Sequence, residues 1–355
     1  MLAFISSMRH LPIKLISLLF VVLALGAIST GAQSLPTKKE ATGLLQKAAQ
    51  AANLRTADSP PFHLIAKVHY EIGRQTLDGM YEFLWVSPEK YRETFRMADV
   101  AEIEIAMGDK LYILRNTPGL TLPLWSIRKS LISAKNFYPG SEPKIKKVYA
   151  AQVDGKDGLC FEFGDDSVER QACFERATNK VVSFRYVAIP PHGPLSITTK
   201  ELKHVDESEL GNFVDASAKR YPMRIHRQQS DEKLEIKIEA LTQGMTFSES
   251  EFTPPPNAVA YDWCSSPVAK GALQIDFQPI LKLDPPGATF AYYVLVGTDG
   301  RVKKWAPSRS GGKFVDERME IRFREARFPI FSCGSKPIEY ETLFDAPIMM
   351  RLPHN

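Results

Sequence analysis

Cysteine is the residue type in this 355-residue chain whose spacing carries chemistry, and there are four of them: Cys160, Cys173, Cys264 and Cys333. Residues 159–163 read as a strand. Gly164-Asp165-Asp166-Ser167 reads as a turn, because Gly and Asp accept the backbone angles a turn requires, and residues 168–174 read as the returning strand. Folding the chain about that turn sets Cys160 opposite Cys173. Opposed strand residues have Cβ atoms about 4.5–5.5 Å apart, and a disulfide needs slightly less. The chemistry expected is therefore a hairpin disulfide, the alternative being two buried free thiols. Local pairing of these two leaves Cys264 and Cys333 for each other, although nothing local enforces that second bridge and four cysteines allow other connectivities. Cysteines used this way belong to an oxidising compartment.

No other residue pattern assembles a catalytic or metal site. Gly-x-Ser-x-Gly, His-Glu-x-x-His and a phosphate-binding glycine loop are all absent. His63 and His69 share the outward face of one strand without the close spacing of a metal-ligand pair. His192, His204 and His226 are scattered, and Asp165-Asp166 is a turn pair before it is an acid–base dyad. No catalytic residue, cofactor or metal is assigned, and the chain reads as non-enzymatic. Its formal net charge is +4, or +2 without Arg9 and Lys14, which disfavours nucleic acid as a partner. The short basic clusters (Lys144, Lys146 and Lys147; Arg301, Lys303, Lys304 and Arg309) read as solvated strand faces.

The amino terminus supports export. Arg9 and Lys14 form a positive start, residues 15–28 are almost wholly apolar, and Thr30-Gly31-Ala32 offers the small residues of a cleavage site. The apolar run of about 14 residues is shorter than the ~20 that span a bilayer. Residues 1–32 are thus expected to be a signal peptide cut near Ala32, with an uncleaved inner-membrane anchor as the alternative. The mature chain is expected to be soluble and periplasmic.

The elements that position these residues are mainly strands. Residues 38–54 show helical spacing through Leu44, Leu45, Ala48 and Ala52, and Ser59-Pro60-Pro61 ends that helix. Alternation follows: Phe62, Leu64, Ala66, Val68, Tyr70 and Ile72 share one face, with His63, Lys67, His69 and Glu71 on the other. Further strands are expected at 79–86, 91–97, 101–106 and 111–114. A helix then starts near Pro123 and uses Leu124, Ile127, Arg128, Leu131 and Ala134. Strands resume near Val148 and continue through the cysteine hairpin, 180–188, 195–204, 221–226 and 233–241. Pro190–Pro194 reads as a loop and Glu207–Gly211 as a turn. Closely spaced hairpins disfavour a parallel sheet.

Within that order lies Tyr81-Glu82-Phe83-Leu84-Trp85-Val86-Ser87-Pro88-Glu89-Lys90-Tyr91-Arg92, then a hairpin leading to Leu111-Tyr112. Tyr221-Pro222-Met223-Arg224-Ile225, Glu235-Ile236-Lys237-Ile238, Phe247 and Phe252-Thr253-Pro254-Pro255 close it. Residues of about 38–257 resemble the LolA/LolB-like superfamily of periplasmic lipoprotein carriers. The resemblance implies an incomplete antiparallel barrel over helices, with an apolar cavity for an acyl chain. The candidate liners are Leu64, Val68, Tyr70, Phe83, Trp85, Tyr91, Phe95, Ile103, Ile105, Tyr112 and Leu114, although each residue of this type is more often ordinary core than cavity lining.

The proline-dense 252–257 segment reads as a boundary. Beyond it, strand character is expected at 273–281, 291–296, 301–308 and 338–350, with Gly297-Thr298-Asp299-Gly300 as a hairpin turn. A helix at about 313–327 is expected to use Phe314, Arg318, Ile321 and Ala326 on one side, with Met319 and Phe323 adding apolar bulk. Val296, Asp299, Gly300, Val302, Ser308, Phe328, Pro329, Gly334, Pro337 and Ile338 make residues of about 264–352 resemble the TonB carboxy-terminal domain. That resemblance implies a small partner-binding module.

The expected fold class is α+β: a large curved antiparallel sheet (incomplete barrel) over helices, plus a small ββαβ domain. The expected domains are 1–32, 33–257 and 258–355. The function expected is binding of a lipid or lipoprotein acyl chain, or an apolar segment, in the half-barrel, with an envelope protein docked by the second domain. A ligand-free envelope scaffold and a membrane-anchored TonB-like transducer are the alternatives, and oligomeric state is left open.

Overall fold

The computed structural model describes residues 35–132, 143–164, 168–188, 207–216, 219–229, 231–275 and 289–347. The expected signal peptide, the loop at 190–194, the strand at 195–204, His192, His204, Asp165, Asp166 and Ala134 lie outside the described residues.

One antiparallel sheet dominates. Its 13 strands run in the order β13-β5-β4-β3-β2-β1-β12-β11-β10-β9-β8-β7-β6 and do not close into a barrel. The strands are β1 (Phe62–Ile72), β2 (Gln75–Ser87), β3 (Lys90–Met97), β4 (Val100–Met107), β5 (Lys110–Arg115), β6 (Ile145–Val153), β7 (Lys156–Gly164), β8 (Val168–Glu175), β9 (Lys180–Ala188), β10 (Glu207–Ala216), β11 (Lys219–Gln229), β12 (Glu232–Gln243) and β13 (Val259–Asp262). Alternation in β1 buries Phe62, Leu64, Ala66, Val68 and Tyr70 on one face as the sequence predicts. β1 pairs with β2 on one side and with β12 on the other, which joins the two meanders at the centre of the sheet.

Two helices fill the concave side: α1 (Lys38–Ala52) and α2 (Leu122–Ile132). α1 touches both β6 and β11. Five strand spacings of about 4.8 Å would separate those strands by roughly 24 Å if the sheet were flat. Contact of one helix with both therefore requires the sheet to wrap. Ala41, Leu45, Ala48 and Ala52 of α1 and Leu124, Ile127 and Leu131 of α2 join one core with Phe62, Phe83, Phe95, Phe161, Phe174, Phe184, Ile225 and Ile236 from across the sheet.

The segment at 207–211 is a correction. The polar stretch predicted to turn is the start of β10, which pairs with β11 along its length and with β9 at its first residues. Pairing on both sides overrides the turn preference of Glu, Ser and Gly.

After β12, a short 3-10 helix (Glu249–Phe252) crosses the convex face. β13 follows the proline-dense segment and pairs with β5, so it extends the large sheet. The described residues beyond β13 form two sheets of three strands. β15 (Thr289–Val296) lies between β16 (Val302–Arg309) and β19 (Tyr340–Pro347), while β14 (Val268–Lys270), β17 (Ile330–Cys333) and β18 (Lys336–Ile338) form the other. Helix α3 (Lys313–Glu325) buries Val315, Met319 and Phe323 against Phe290, Tyr292, Val294, Val296 and Phe344. The expected helix face is corrected here: Phe314 is 53% and Ile321 58% exposed, while Val315 carries the contact. Of the strand predicted at 273–281, the described part contributes only the isolated bridge Gln274–Arg327.

The opposite face of β15 meets the half-barrel. Ala291 and Leu343 pack on Leu122, and Tyr293 enters the main core. β15 is buried on both faces, which is why Phe290 to Val296 is apolar without alternation. Both disulfides form, Cys160–Cys173 and Cys264–Cys333. The first joins directly opposed residues of β7 and β8 and packs with Val182, Tyr149, Ala151 and Val153, apart from the main core. No helix among the described residues is long and apolar enough to cross a membrane.

Candidate functional site

Among the described residues, the interior of the half-barrel beneath β1 and β2 is packed with apolar side chains. Beneath β1 and β2 remains a void of about 20 Å³, bordered by Leu54, Arg55, Leu64, Tyr81, Phe83 and Tyr221 among others. That is room for about one water molecule. Leu64, Val68, Tyr70, Phe83, Trp85 and Phe95 are all buried in the main core, with Phe62, Phe83, Trp85 and Tyr91 in mutual ring contact.

A larger space opens where the carboxy-terminal segment closes over β3, β4 and β5. This cavity has a volume of about 380 Å³ and is bounded by Tyr91, Leu111, Ile113, Leu120, Trp125, Trp263, Phe331, Ile338 and Tyr340, with Arg55, Glu93, Glu104, Arg128 and Glu341 supplying charge. Pockets that bind small molecules span about 300–1,000 Å³ and are mostly apolar with a few placed polar groups. Of the predicted liners, Tyr91 alone borders this cavity.

Strand registry builds the charged wall. Alternation in β3 places Tyr91, Glu93 and Phe95 on the concave face, and pairing sets Glu93 opposite Glu104, Phe95 opposite Glu102 and Glu102 opposite Arg115. Ile103, Ile105 and Tyr112 therefore point to the convex side, where they pack with Leu84, Val86, Phe247 and Phe252. Leu114 is paired with Ile103 and shares that side. These four residues were expected to line an inner cavity. Their orientation is reversed because the 3-10 helix covers the convex face and arginines neutralise the glutamates inside.

Arg128, presented by α2, is the centre of that neutralisation. Its Nε donates to Glu93 at 2.9 and 3.0 Å, and its terminal nitrogen donates to Glu102 at 3.2 Å and to Glu104 at 2.8 Å. Arg115 lies 2.9 Å from Glu102 and donates to Glu341 at 2.6 Å. Tyr91 donates to Glu104 and Tyr293 to Glu341, each at 2.7 Å. Arg55 stacks on Phe83, 4.1 Å from the ring centre, and donates to Tyr81 at 3.0 Å.

Two like charges directly opposite on a sheet repel, and burial adds a desolvation cost. Burial pushes the Glu104 carboxyl up despite Arg128. Burial likewise raises Glu102 to about 7, against the pull of Arg128 and Arg115 and with the repulsion of Glu104 and Glu93. Glu93 is also buried, yet two contacts from Arg128 and the field of Arg55 hold it below the ordinary carboxylate range. Burial opposes the charge of Arg128, and Glu104, Glu93 and Glu102 outweigh it, so the guanidinium stays ionised.

Sequence reasoning missed Glu93, Glu102, Glu104 and Arg128 as site residues. The available signal was Glu93 on an otherwise apolar strand face and Arg128 on an otherwise apolar helix face. His63 and His69 lie on the outward face as predicted and pair with Glu82 at 2.8 Å and Asp78 at 2.7 Å. No group of metal-ligating side chains occurs among the described residues.

No protein-family model matches this chain, and no curated protein does. Solved structures similar to it include a LolA superfamily protein from Nitrosomonas europaea, with 14% identity, 60% of this chain and 97% of that chain covered, and a TM-score of 0.36. A DUF1329 family protein from Desulfovibrio piger shares 10% identity over 60% of this chain and 96% of its own, with a TM-score of 0.36. LprF from Mycobacterium bovis shares 13% over 61% and 99%, with a TM-score of 0.27. The resemblance of residues 264–352 to the TonB carboxy-terminal domain finds no support among them.

Proposed function

We propose that this chain is an exported, non-enzymatic binding protein of the cell envelope that holds an acyl-type amphiphile in the cavity between the half-barrel mouth and the carboxy-terminal segment. The observation that carries this reading is the 380 Å³ space with its aromatic and aliphatic walls. Burying an alkyl chain there is worth about 0.8 kcal/mol per CH₂. Two disulfides support an oxidising compartment. The filled half-barrel interior argues against a long chain stored directly beneath β1 and β2, so the site is placed at the mouth. Docking of an envelope protein is assigned to the exposed strand β14, which stands at the edge of its sheet among the described residues and suits β-strand addition.

Native mass spectrometry of the purified chain, with titration of a short fluorescent fatty acyl ester, tests the binding role. Co-purified lipid, or saturable uptake that Trp125→Ala weakens, is the expected result. A chain that is free of lipid and takes up no ester is a scaffold acting through its surfaces alone.

A further inference from the structure

The charge that faces the cavity is unbalanced. Glu93, Glu104, Asp262, Glu339 and Glu341 border it, against Arg55 and Arg128. Neither arginine is available to an anionic ligand: Arg55 is committed to Phe83 and Tyr81, and Arg128 to three carboxylates. Asp262 and Glu339 are countered by Lys110, Lys336 and Lys303, but these lysine side chains are 42%, 69% and 52% exposed and do not border the cavity. Their fields are screened by salt, whereas those of buried groups are not. Among the described residues the buried network sets Glu93, Glu102, Glu104 and Glu341 against Arg55, Arg115 and Arg128, and is one cation short when all four carboxylates are ionised. Aromatic faces complete the wall, with Tyr91 and Trp263 in edge contact, their ring centres 5.7 Å apart. A cation within about 6 Å of a ring face is attracted by its quadrupole, and clusters of aromatic rings are used to recognise quaternary ammonium groups.

Resting on the binding role proposed above, we infer that the cavity selects a cationic amphiphile, with its ammonium group among Tyr91, Trp263 and Tyr340 and the carboxylates of Glu93, Glu104 and Glu341. An anionic head in the same place meets excess negative charge and, among the described residues, no free guanidinium on the cavity wall. The missing positive charge of the network is then supplied by the ligand.

The test is a calorimetric and tryptophan-fluorescence titration of the full chain with octyltrimethylammonium, octanol, octanoate and tetramethylammonium, each below its aggregation concentration. The expected order is octyltrimethylammonium tightest, by roughly tenfold over octanoate, with octanol between them and tetramethylammonium weakest. In Trp263→Leu the advantage of octyltrimethylammonium over octanol shrinks, while octanol binding changes less. Octanoate binding as tightly as the cation overturns the assignment and leaves the binding role standing. Tetramethylammonium binding as well as its octyl derivative overturns the amphiphile part. Failure of all three octyl compounds to bind removes the cavity as a ligand site and the inference with it.

Discussion

Glu102 lies between two guanidinium groups and still holds its proton more tightly than a free carboxylate. The first cause is burial, and the arginines do not offset it because they are shared: Arg128 is divided among Glu93, Glu102 and Glu104, and Arg115 is drawn toward Glu341. With 3% exposure Glu102 has little water to replace what it lacks. The consequence for stability has a definite sign. The folded-state pKa of about 7 lies above the ordinary value of 4.5, so the native chain binds a proton in that window that the unfolded chain has released. Stability is therefore highest below about pH 4.5 as far as this group is concerned, and falls as pH rises through about 7. A shift of this size corresponds to on the order of 3 kcal/mol. Urea unfolding between about pH 5 and pH 8 should show a declining midpoint, and Glu102→Gln should flatten the decline, since a carboxamide oxygen still accepts from Arg115. Parallel curves for parent and variant would show that Glu102 is ionised throughout and that another group sets the slope.

At the scale of elements, the two bridges differ in what they secure. Cys160–Cys173 crosses a ladder that backbone pairing already holds and closes a separation of 13 residues, whereas Cys264–Cys333 closes 69. Chain-entropy arguments give about 3 kcal/mol for the shorter loop and about 4 for the longer. Cys264 also borders the cavity, so the second bridge pins its wall. The Cys264→Ser/Cys333→Ser double variant should lose more stability than Cys160→Ser/Cys173→Ser and should alone gain protease sensitivity in residues 263–347. Equal losses with unchanged digestion would refute the pinning role. The hairpin bridge was readable in the sequence because a turn and two strands fix it locally. β1, β3 and the first central helix were readable from their own periodicity, which reflects one wetter and one dry face, whereas β7 and β8, buried on both faces at residues 159–161 and 172–174, were readable from the turn between them. β10 was hidden because its opening residues are polar and its pairing is with strands brought in from elsewhere. The face of β4 was misread because Ile103 and Ile105 compete with Glu102 and Glu104 for the interior. What decides that competition is a cover over the isoleucines and a pair of arginines beside the glutamates, none of which is local to β4.

For the whole molecule, the proline-dense stretch at 252–257 marks a change in sequence character, yet the core continues through it. The described residues from Lys38 onward form one compact unit. Leu122 donates its backbone N–H to Ser308 at 2.6 Å, Arg309 donates to Asp231 at 2.9 Å, and Arg115 reaches Glu341. Tyr293 is the deepest of these ties: it is 2% exposed and is part of the main core. Gly119 makes its entry possible, because a Cβ at that position would lie 2.1 Å from Cγ of Tyr293. No rotamer of a buried tyrosine absorbs such an overlap without shifting β15 and, with it, the wall of the cavity. Gly119→Ala should therefore cost about 1–3 kcal/mol through overpacking and weaken amphiphile uptake at a site that Gly119 does not border. Attribution to Tyr293 can be isolated in a double-mutant cycle. In a Tyr293→Leu background the ring is gone, and the alanine penalty should largely vanish, although the leucine variant starts from a lower stability because it lacks the hydrogen bond to Glu341. A penalty of the same size in both backgrounds would place the effect in the backbone around Gly119 and would release the carboxy-terminal segment from the role of a wall held by the core.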